Sequence, residues 1–148
     1  MPTIYLAGLI STDYPGSLEW RQYAESELLA AGAIVLSPLR GEGNLVELSP
    51  DGGLTTPKRT SRDVILRDHS DIQVADTVLV HLEDFGSPRP LMGTLYELAW
   101  CWRLRKPVVA VAKADNYLMR THPFVSESVA HYLPTIEEAV EFIKSYYL

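Results

Sequence analysis

Short apolar runs alternate along the chain with longer stretches whose apolar residues recur at helical spacing. The apolar runs predict buried strands at 3–7, 33–37, 77–82, 108–112 and 131–133. The helical spacing predicts helices at 17–31, 61–73 and 94–105, and a last helix that starts at Thr135 with Glu138 in a capping-box pattern. Glycine and proline predict loops at 38–60, 83–90 and 113–122.

Strands that are apolar on both faces and alternate with helices indicate a parallel sheet covered on both sides. We therefore predict an α/β fold: a single doubly wound domain over residues 1–148, flavodoxin-like or Rossmann-like, with a parallel sheet of about five strands. Ligands of such sheets lie beyond the carboxyl ends of the strands. The pocket is thus expected among the loops that follow Ala7, Ser37, Leu82 and Ala112.

Composition and charge narrow the class of partner. With 47% hydrophobic and 22% charged residues the chain is typical of globular proteins, and its net charge of -6 disfavours a nucleic-acid polymer. Cys101 is the only cysteine and no zinc-binding spacing occurs, which fits a reducing cytoplasm and excludes a disulfide within the chain. Residues 1–8 lack the basic flank of a signal peptide, and no segment is apolar enough to suggest a membrane span.

Glu97 is the only acid in the helix predicted at 94–105. Its place in the first predicted turn favours an ionised carboxylate, because the helix dipole is positive there. Thr94 and Glu97 also match a capping box, which needs no catalytic role, so both interpretations stay open.

The same helix is apolar nearly all round, which indicates burial on both sides. We expect the stripe of Leu95, Leu98, Ala99 and Trp102 to face the core, and the side with Trp100 and Leu104 to face another subunit.

Asp68 is the second candidate, because an acid in an apolar helical stripe is either paired or functional. Its predicted stripe includes Val64, Ile65 and Ile72. Asp71 shares that stripe, and one of the two acids is expected to cap or to pair with a nearby arginine, either Arg67 or Arg62.

Other polar residues near the predicted strand ends have two interpretations each. Tyr5 is either a core tyrosine or a hydroxyl donor to a nearby carboxylate. Arg40 is either a solvated loop charge or a ligand-binding group, and His81 lies at the rim of the predicted pocket. The segment around Gly8 lacks the spaced glycines of a dinucleotide site, which disfavours NAD or ATP.

Three blocks in order resemble the nucleoside 2-deoxyribosyltransferase family: Ile4–Gly8, then Arg67–Val80, then Gly93–Trp100 followed by Lys106–Val109. The same blocks are similar to those of nucleoside 5'-monophosphate N-glycosidases. The loop from Arg40 to Thr60 does not align.

The resemblance implies a role for each acid. Glu97 falls at the nucleophile, Asp68 at the acid that handles the proton of the leaving base, and Tyr5 at a hydroxyl that contacts the nucleophile. Leu91 and His81 depart from the pattern, because many relatives have an aspartate at each position.

The resemblance also implies a pocket for nucleosides and nucleobases, with no metal or organic cofactor, in a homo-oligomer whose neighbouring subunits complete the pocket. Glu83 or Asp84 would replace the missing aspartate in holding the sugar. The full set that we assign to substrate binding is Gly8, Arg40, Glu83, Asp84, Gly93 and Thr94.

The expected activity is transfer of 2-deoxyribose between nucleobases through a covalent deoxyribosyl-glutamate, with retention of configuration. Two alternatives stay open. One is hydrolysis of nucleoside or deoxynucleoside 5'-monophosphates by the same residues. The other is a nucleotide-binding module without turnover, which would not need two ionisable acids.

Overall fold

The strands form a single parallel sheet in the computed structural model, which describes residues 1–41 and 59–148. The strands are β1 (Thr3–Gly8), β2 (Ile34–Leu36), β3 (Thr77–His81), β4 (Val108–Val111) and β5 (His131–Leu133). Their order in the sheet is β2-β1-β3-β4-β5 and every pair is parallel. This is the doubly wound, flavodoxin-like arrangement predicted from the sequence.

Helices cover both faces of the sheet. They are α1 (Gly16–Ala30), α2 (Ser61–Val74), α3 (Met92–Leu104), α4 (Tyr117–Thr121), α5 (Pro123–Ser126) and α6 (Ile136–Tyr146). α1 and α6 pack on one face, and α2 and α3 pack on the other. No helix among the described residues is both long and apolar enough to cross a lipid bilayer.

Capping residues mark the starts of α4, α5 and α6, of which only the start of α6 was predicted. Thr135 caps α6 by accepting a hydrogen bond from the Glu138 backbone N–H, as its capping-box pattern predicts. The predicted loop at 113–122 is wrong in part, because α4 lies within it. Asn116 caps α4, and His122 caps α5 with Pro123 at its first position. Most of the loop predicted at 38–60 lies outside the described residues.

Alternation along β1 decides which side chains reach the functional face. Ile4 and Leu6 point into the core beneath α1 and α6. Tyr5 and Ala7 point into the other core, which α2 and α3 cover. Tyr5 is therefore directed toward the two helices that carry the candidate acids.

The predicted core stripe of α3 is wrong in two of its four residues, because only Leu95 and Leu98 pack on the core. Leu98 is buried, but Ala99 is exposed and Trp102 is 63% exposed. Thr94 and Cys101 complete the buried stripe instead, at i, i+4 and i+7. Because this helix is apolar nearly all round, its sequence does not show which face meets the sheet.

The predicted apolar stripe of α2 also needs one correction. Val64 and Ile72 are buried as predicted, whereas Ile65 is 53% exposed. Asp68 lies between Val64 and Ile72 at i, i+4 and i+8, so it remains on the buried face of α2.

Candidate active site

A short hydrogen bond joins β1 to α3. The Tyr5 hydroxyl donates to Oε2 of Glu97 at 2.5 Å, and the Tyr5 side chain is fully buried. Bonds of this length are typical of a hydroxyl that donates to an ionised oxygen, and they are stronger where water is excluded. Of the two interpretations of Tyr5, the donor to a carboxylate is the one observed. Its catalytic role stays a prediction.

Helix α3 begins two residues before its predicted start, and this earlier start changes the position of Glu97 within the helix. The helix begins at Met92, and its N-cap Leu91 makes no side-chain cap. Thr94 therefore lies inside the helix and is no capping residue, so the capping-box interpretation of Glu97 is wrong. Glu97 lies in the second turn, where the helix dipole is weaker than in the first.

Glu97 is half-buried, and its carboxyl group meets the fully buried Tyr5. Burial raises its pKa to about 8, while the hydrogen bond from Tyr5 opposes that rise. The negative charge of Asp68 raises the pKa further, and the positive charge of Arg21 lowers it.

Asp68 carries a carboxylate oxygen that has no partner. Its Oδ1 is buried without a hydrogen bond, and the Nε atom of Arg67 lies 3.9 Å away. Burial raises the pKa of Asp68 to about 6, against the opposing charge of Arg67. A buried, unsatisfied carboxylate oxygen requires an explanation, and a ligand or its proton would supply one.

Asp71 has a structural partner, which separates it from Asp68. Both of its oxygens accept from Arg40, at 2.6 and 2.8 Å, whereas Asp68 lies 3.9 Å from Arg67, one of the two arginines predicted to pair with an acid of this stripe. Arg67 instead donates to the carbonyl oxygen of Pro38. Both terminal nitrogens of Arg40, which was predicted to bind substrate, donate hydrogen bonds to Asp71. Substrate binding by Arg40 stays a prediction.

The ends of β1 and β3 meet closely at Gly8. A Cβ at Gly8 would lie 3.0 Å from the Trp20 ring and 3.2 Å from the His81 carbonyl oxygen. His81 is buried between the rings of Trp20 and Phe85, with centroids at 5.2 and 4.7 Å. Burial and the charge of Arg21 lower its pKa to about 3, so the imidazole is neutral at physiological pH.

The two acids proposed to replace the missing aspartate have partners in nearby loops. Oε2 of Glu83 accepts from Asn116 Nδ2 at 2.6 Å and from the Lys113 backbone N–H at 3.2 Å. Oδ1 of Asp84 accepts from the Gly86 N–H at 2.8 Å. Neither acid contacts Tyr5 or Glu97, so the structure does not bring them to the catalytic group.

The remaining predicted binding residues lie in the first turn of α3. A Cβ at Gly93 would meet nothing within 4 Å, so packing does not require glycine there. Thr94 is buried, and Leu91 just before the helix is buried too. No acid occupies the Leu91 position.

Arg21 is the site residue that the sequence reasoning missed. It is 1% exposed and its guanidinium donates to the carbonyl oxygens of Gly8, Leu9 and Ser17 at 2.6 to 2.8 Å. A signal was present, because Arg21 shares a helical stripe with the core residues Ala24 and Leu28.

Glu97 and Asp68 together offer a nucleophile and a proton donor. Glu97 offers a carboxylate held by Tyr5, and Asp68 offers a second carboxyl whose raised pKa suits proton donation. Within residues 1–41 and 59–148, no group of three or more His, Cys, Asp or Glu is placed to hold a metal ion.

Known structures share this fold. No protein-family model matches the chain, and no curated protein matches it either. A 2-deoxyribosyltransferase from Bacillus psychrosaccharolyticus is 24% identical with a TM-score of 0.62, over 93% of this chain and 90% of its own. A 2-deoxyribosyltransferase from Leishmania mexicana is 18% identical with a TM-score of 0.67, over 100% of both chains.

A third structure with this fold is named as an N-glycosidase and not as a 2-deoxyribosyltransferase. A CMP N-glycosidase from Clostridium botulinum is 17% identical with a TM-score of 0.60, over 97% of this chain and 99% of its own. The chain thus has the α/β fold of 2-deoxyribosyltransferases and of a CMP N-glycosidase, the two groups that its sequence blocks resemble.

Proposed function

We propose that this protein breaks the N-glycosidic bond of 2'-deoxynucleosides and transfers the 2-deoxyribose to a second base. The observation that carries the proposal is the short hydrogen bond from the buried Tyr5 to Glu97, together with Asp68, whose Oδ1 has no hydrogen-bond partner among the described residues. A sensor without turnover would not need two half-buried acids with raised pKa values. The shared fold with 2-deoxyribosyltransferases supports the same function.

In the first step a carboxylate oxygen of Glu97 forms a bond to C1' of the sugar, on the face opposite the base. The bond from C1' to the base nitrogen breaks, and its electron pair leaves with the base. Asp68 gives a proton to the base, directly or through water, because a neutral base leaves more easily than an anion. The product is a covalent deoxyribosyl ester of Glu97.

In the second step a new base attacks C1' from the vacated face and Glu97 leaves as a carboxylate. Asp68 takes up the proton that the incoming base loses. Two inversions give net retention, as in retaining glycosidases. Tyr5 stabilises the negative charge on Glu97 before attack and after release.

The reaction should be fastest between about pH 6 and pH 8, the pKa values of Asp68 and Glu97. Between these values the pair holds one proton, which the higher pKa of Glu97 places mostly on Glu97; the active state is the smaller fraction in which the proton is on Asp68 and Glu97 is ionised. At lower pH both acids are protonated and the nucleophile is lost. At higher pH both are ionised and the proton donor is lost. The measurement is kcat/KM against pH, and a flat profile from pH 5 to 9 would contradict the shared proton.

Removal of the Tyr5 hydroxyl should slow the reaction without stopping it. Tyr5→Phe is expected to lower kcat by about 10–100-fold, the effect of one charge-assisted hydrogen bond to the nucleophile. Tyr132→Phe is the control, because its hydroxyl donates to the Met119 carbonyl oxygen and not to an acid. Equal rates for Tyr5→Phe and the parent would show that the Tyr5–Glu97 bond does not serve catalysis.

A second candidate function is hydrolysis of nucleoside 5'-monophosphates. The favouring observation is that a buried leucine, Leu91, stands where many relatives have an aspartate, and that partners in nearby loops hold Glu83 and Asp84. The fold shared with a CMP N-glycosidase agrees with this alternative.

A matched assay separates the two functions. A deoxynucleoside and its 5'-monophosphate are each incubated with and without an acceptor base, and the products are separated. Transfer predicts a new nucleoside that requires the acceptor. Base release that is fastest from the monophosphate and indifferent to the acceptor would favour the N-glycosidase. No base release from either substrate would contradict both functions.

We also expect an oligomer that packs through α3. Trp100 and Leu104, assigned to a second apolar face from the sequence, are half-buried against the core. Met92, Tyr96 and Trp102 instead leave an exposed apolar surface, each more than 60% exposed. Light scattering at micromolar concentration should give at least a dimer, and Trp102→Glu should weaken it. A monomeric parent protein would contradict the prediction.

A further inference from the structure

Arg21 joins α1 to the carboxyl end of β1. Its Nη2 atom donates to the Gly8 carbonyl oxygen at 2.6 Å, and Nη1 donates to those of Leu9 at 2.8 Å and Ser17 at 2.7 Å. Gly8 ends the strand that carries Tyr5. The guanidinium therefore fixes the backbone where the strand enters the site.

The positive charge of this group has no direct counter-ion. All three acceptors are neutral carbonyl oxygens, and no acid among the described residues lies within ion-pair distance of Arg21. Its Nε atom is buried without a hydrogen bond. A buried charge is costly unless an opposite charge compensates it, so the nearby acids matter.

The groups that act on Arg21 come from the elements that form the site. Burial lowers the pKa of Arg21 to about 10, and the negative charge of Glu97 opposes this most, followed by Tyr5 and Asp68. The guanidinium remains charged at neutral pH. Facing it, His81 on β3 is neutral, as its lowered pKa requires.

Among the described residues, one cation is found to act on the Glu97 carboxyl. Arg21 is the cation whose charge lowers the pKa of Glu97, and Asp68 on α2 raises it. Cys101, one turn further along α3, remains a neutral thiol because burial raises its pKa to about 12. The helix dipole gives little help in the second turn of α3, so the charge of Arg21 adds to the hydrogen bond from Tyr5 in favouring the ionised form of Glu97.

We propose that Arg21 is a positioning residue for the nucleophile: it anchors the end of β1 through three carbonyl oxygens, and its buried charge favours the ionised form of Glu97. The catalytic consequence rests on the proposed function, whereas the charge coupling does not. Arg21 makes no contact with the reacting atoms and acts through Glu97 and the backbone of β1.

The test reads the Glu97 carboxyl directly, by carbon NMR titration of the folded protein, with its signal assigned by loss in Glu97→Gln. Arg21→Gln removes the charge and keeps an amide that can donate to carbonyl oxygens. Arg21→Lys keeps the charge. Lys144→Gln is the control, because Lys144 also contacts α1 but pairs with Glu27 and Glu141.

In Arg21→Gln the pKa of Glu97 should rise by about one unit, a tenfold loss of the ionised form at a given pH below it. In Arg21→Lys and Lys144→Gln it should stay close to that of the parent. An unchanged pKa in Arg21→Gln would overturn the proposal. In an active protein the kcat/KM profile should move by the same amount, and a uniform loss at every pH would indicate an anchor alone.

If Arg21→Gln does not fold, the electrostatic coupling between residue 21 and Glu97 is measured from the pKa of the group at position 21. The ammonium group of Arg21→Lys should lose about one pKa unit when Glu97→Gln is added. An unchanged ammonium pKa would overturn the proposal. Neither titration requires turnover, so a protein that shows the coupling but releases no base would contradict the proposed function and leave this inference standing.

Discussion

Replacement of Glu97 by alanine should lower the rate of base release by at least about a thousandfold. The carboxylate is the only group in the account that forms a bond to the sugar, so its loss removes both chemical steps. The expected effect is larger than for Tyr5→Phe, because the hydroxyl only stabilises the nucleophile. The measurement is single-turnover base release at saturating deoxynucleoside.

The protein should still fold without the Glu97 carboxylate. Two further variants separate loss of the nucleophile from damage to the fold. Glu97→Gln keeps an acceptor for the buried Tyr5 hydroxyl, which would otherwise lose its partner at a cost of about 1–3 kcal/mol. Arg103→Gln changes an exposed charge on the same helix and should react at the parent rate. A Glu97→Ala protein that reacts within about tenfold of the parent would refute the nucleophile.

Asp68→Asn should have the second-largest effect, and the effect should depend on the leaving base. Protonation by a positioned acid contributes about 100- to 10,000-fold, and only where the base needs the proton. An unactivated deoxynucleoside should therefore slow by that amount. A deoxynucleoside with a cationic N7-methylated purine leaves a neutral base without protonation, so its first step should be nearly unaffected.

Asp71→Asn is the matched control for this prediction. Asp71 lies on the same helix but pairs with Arg40, so its replacement should lower the stability of the protein and affect both substrates alike. If Asp68→Asn also slows both substrates by the same factor, Asp68 is a structural acid and the assignment of the proton donor fails.

The sheet could be predicted from the sequence because its signal is local. Each strand is a short apolar run, and the observed bounds differ from the predicted ones by at most one residue. The meeting of Tyr5 with Glu97 followed from the family resemblance. Alternation along β1 then explains physically why Tyr5, and not Ile4 or Leu6, reaches α3.

The sequence-based predictions were wrong where a helix had more than one apolar face or a charged residue had more than one possible partner. Gly93 weakens a helical pattern, so the start of α3 was placed two residues too late, at Thr94. The all-round apolar sequence of α3 concealed its buried face. Arg40 pairs with Asp71 across 31 residues, and no local pattern reveals a contact at that separation.

Arg21 illustrates the same limit for charge. An arginine in an amphipathic helix usually extends its charged end to solvent, so a stripe position alone does not predict full burial. The burial depends on three carbonyl oxygens that β1, the following loop and α1 bring together. That convergence exists only in the folded chain.

Peptide mass spectrometry after reaction with a 2'-deoxy-2'-fluoro-arabinosyl nucleoside tests the central claim most directly. The fluorine destabilises the oxocarbenium-like transition states of both steps, so a covalent sugar ester can accumulate before a second base removes it. The account predicts one added fluorosugar on the peptide that contains Glu97, and none in Glu97→Gln. An adduct on any other residue, or base release with the parent's rate in Glu97→Gln, would contradict it.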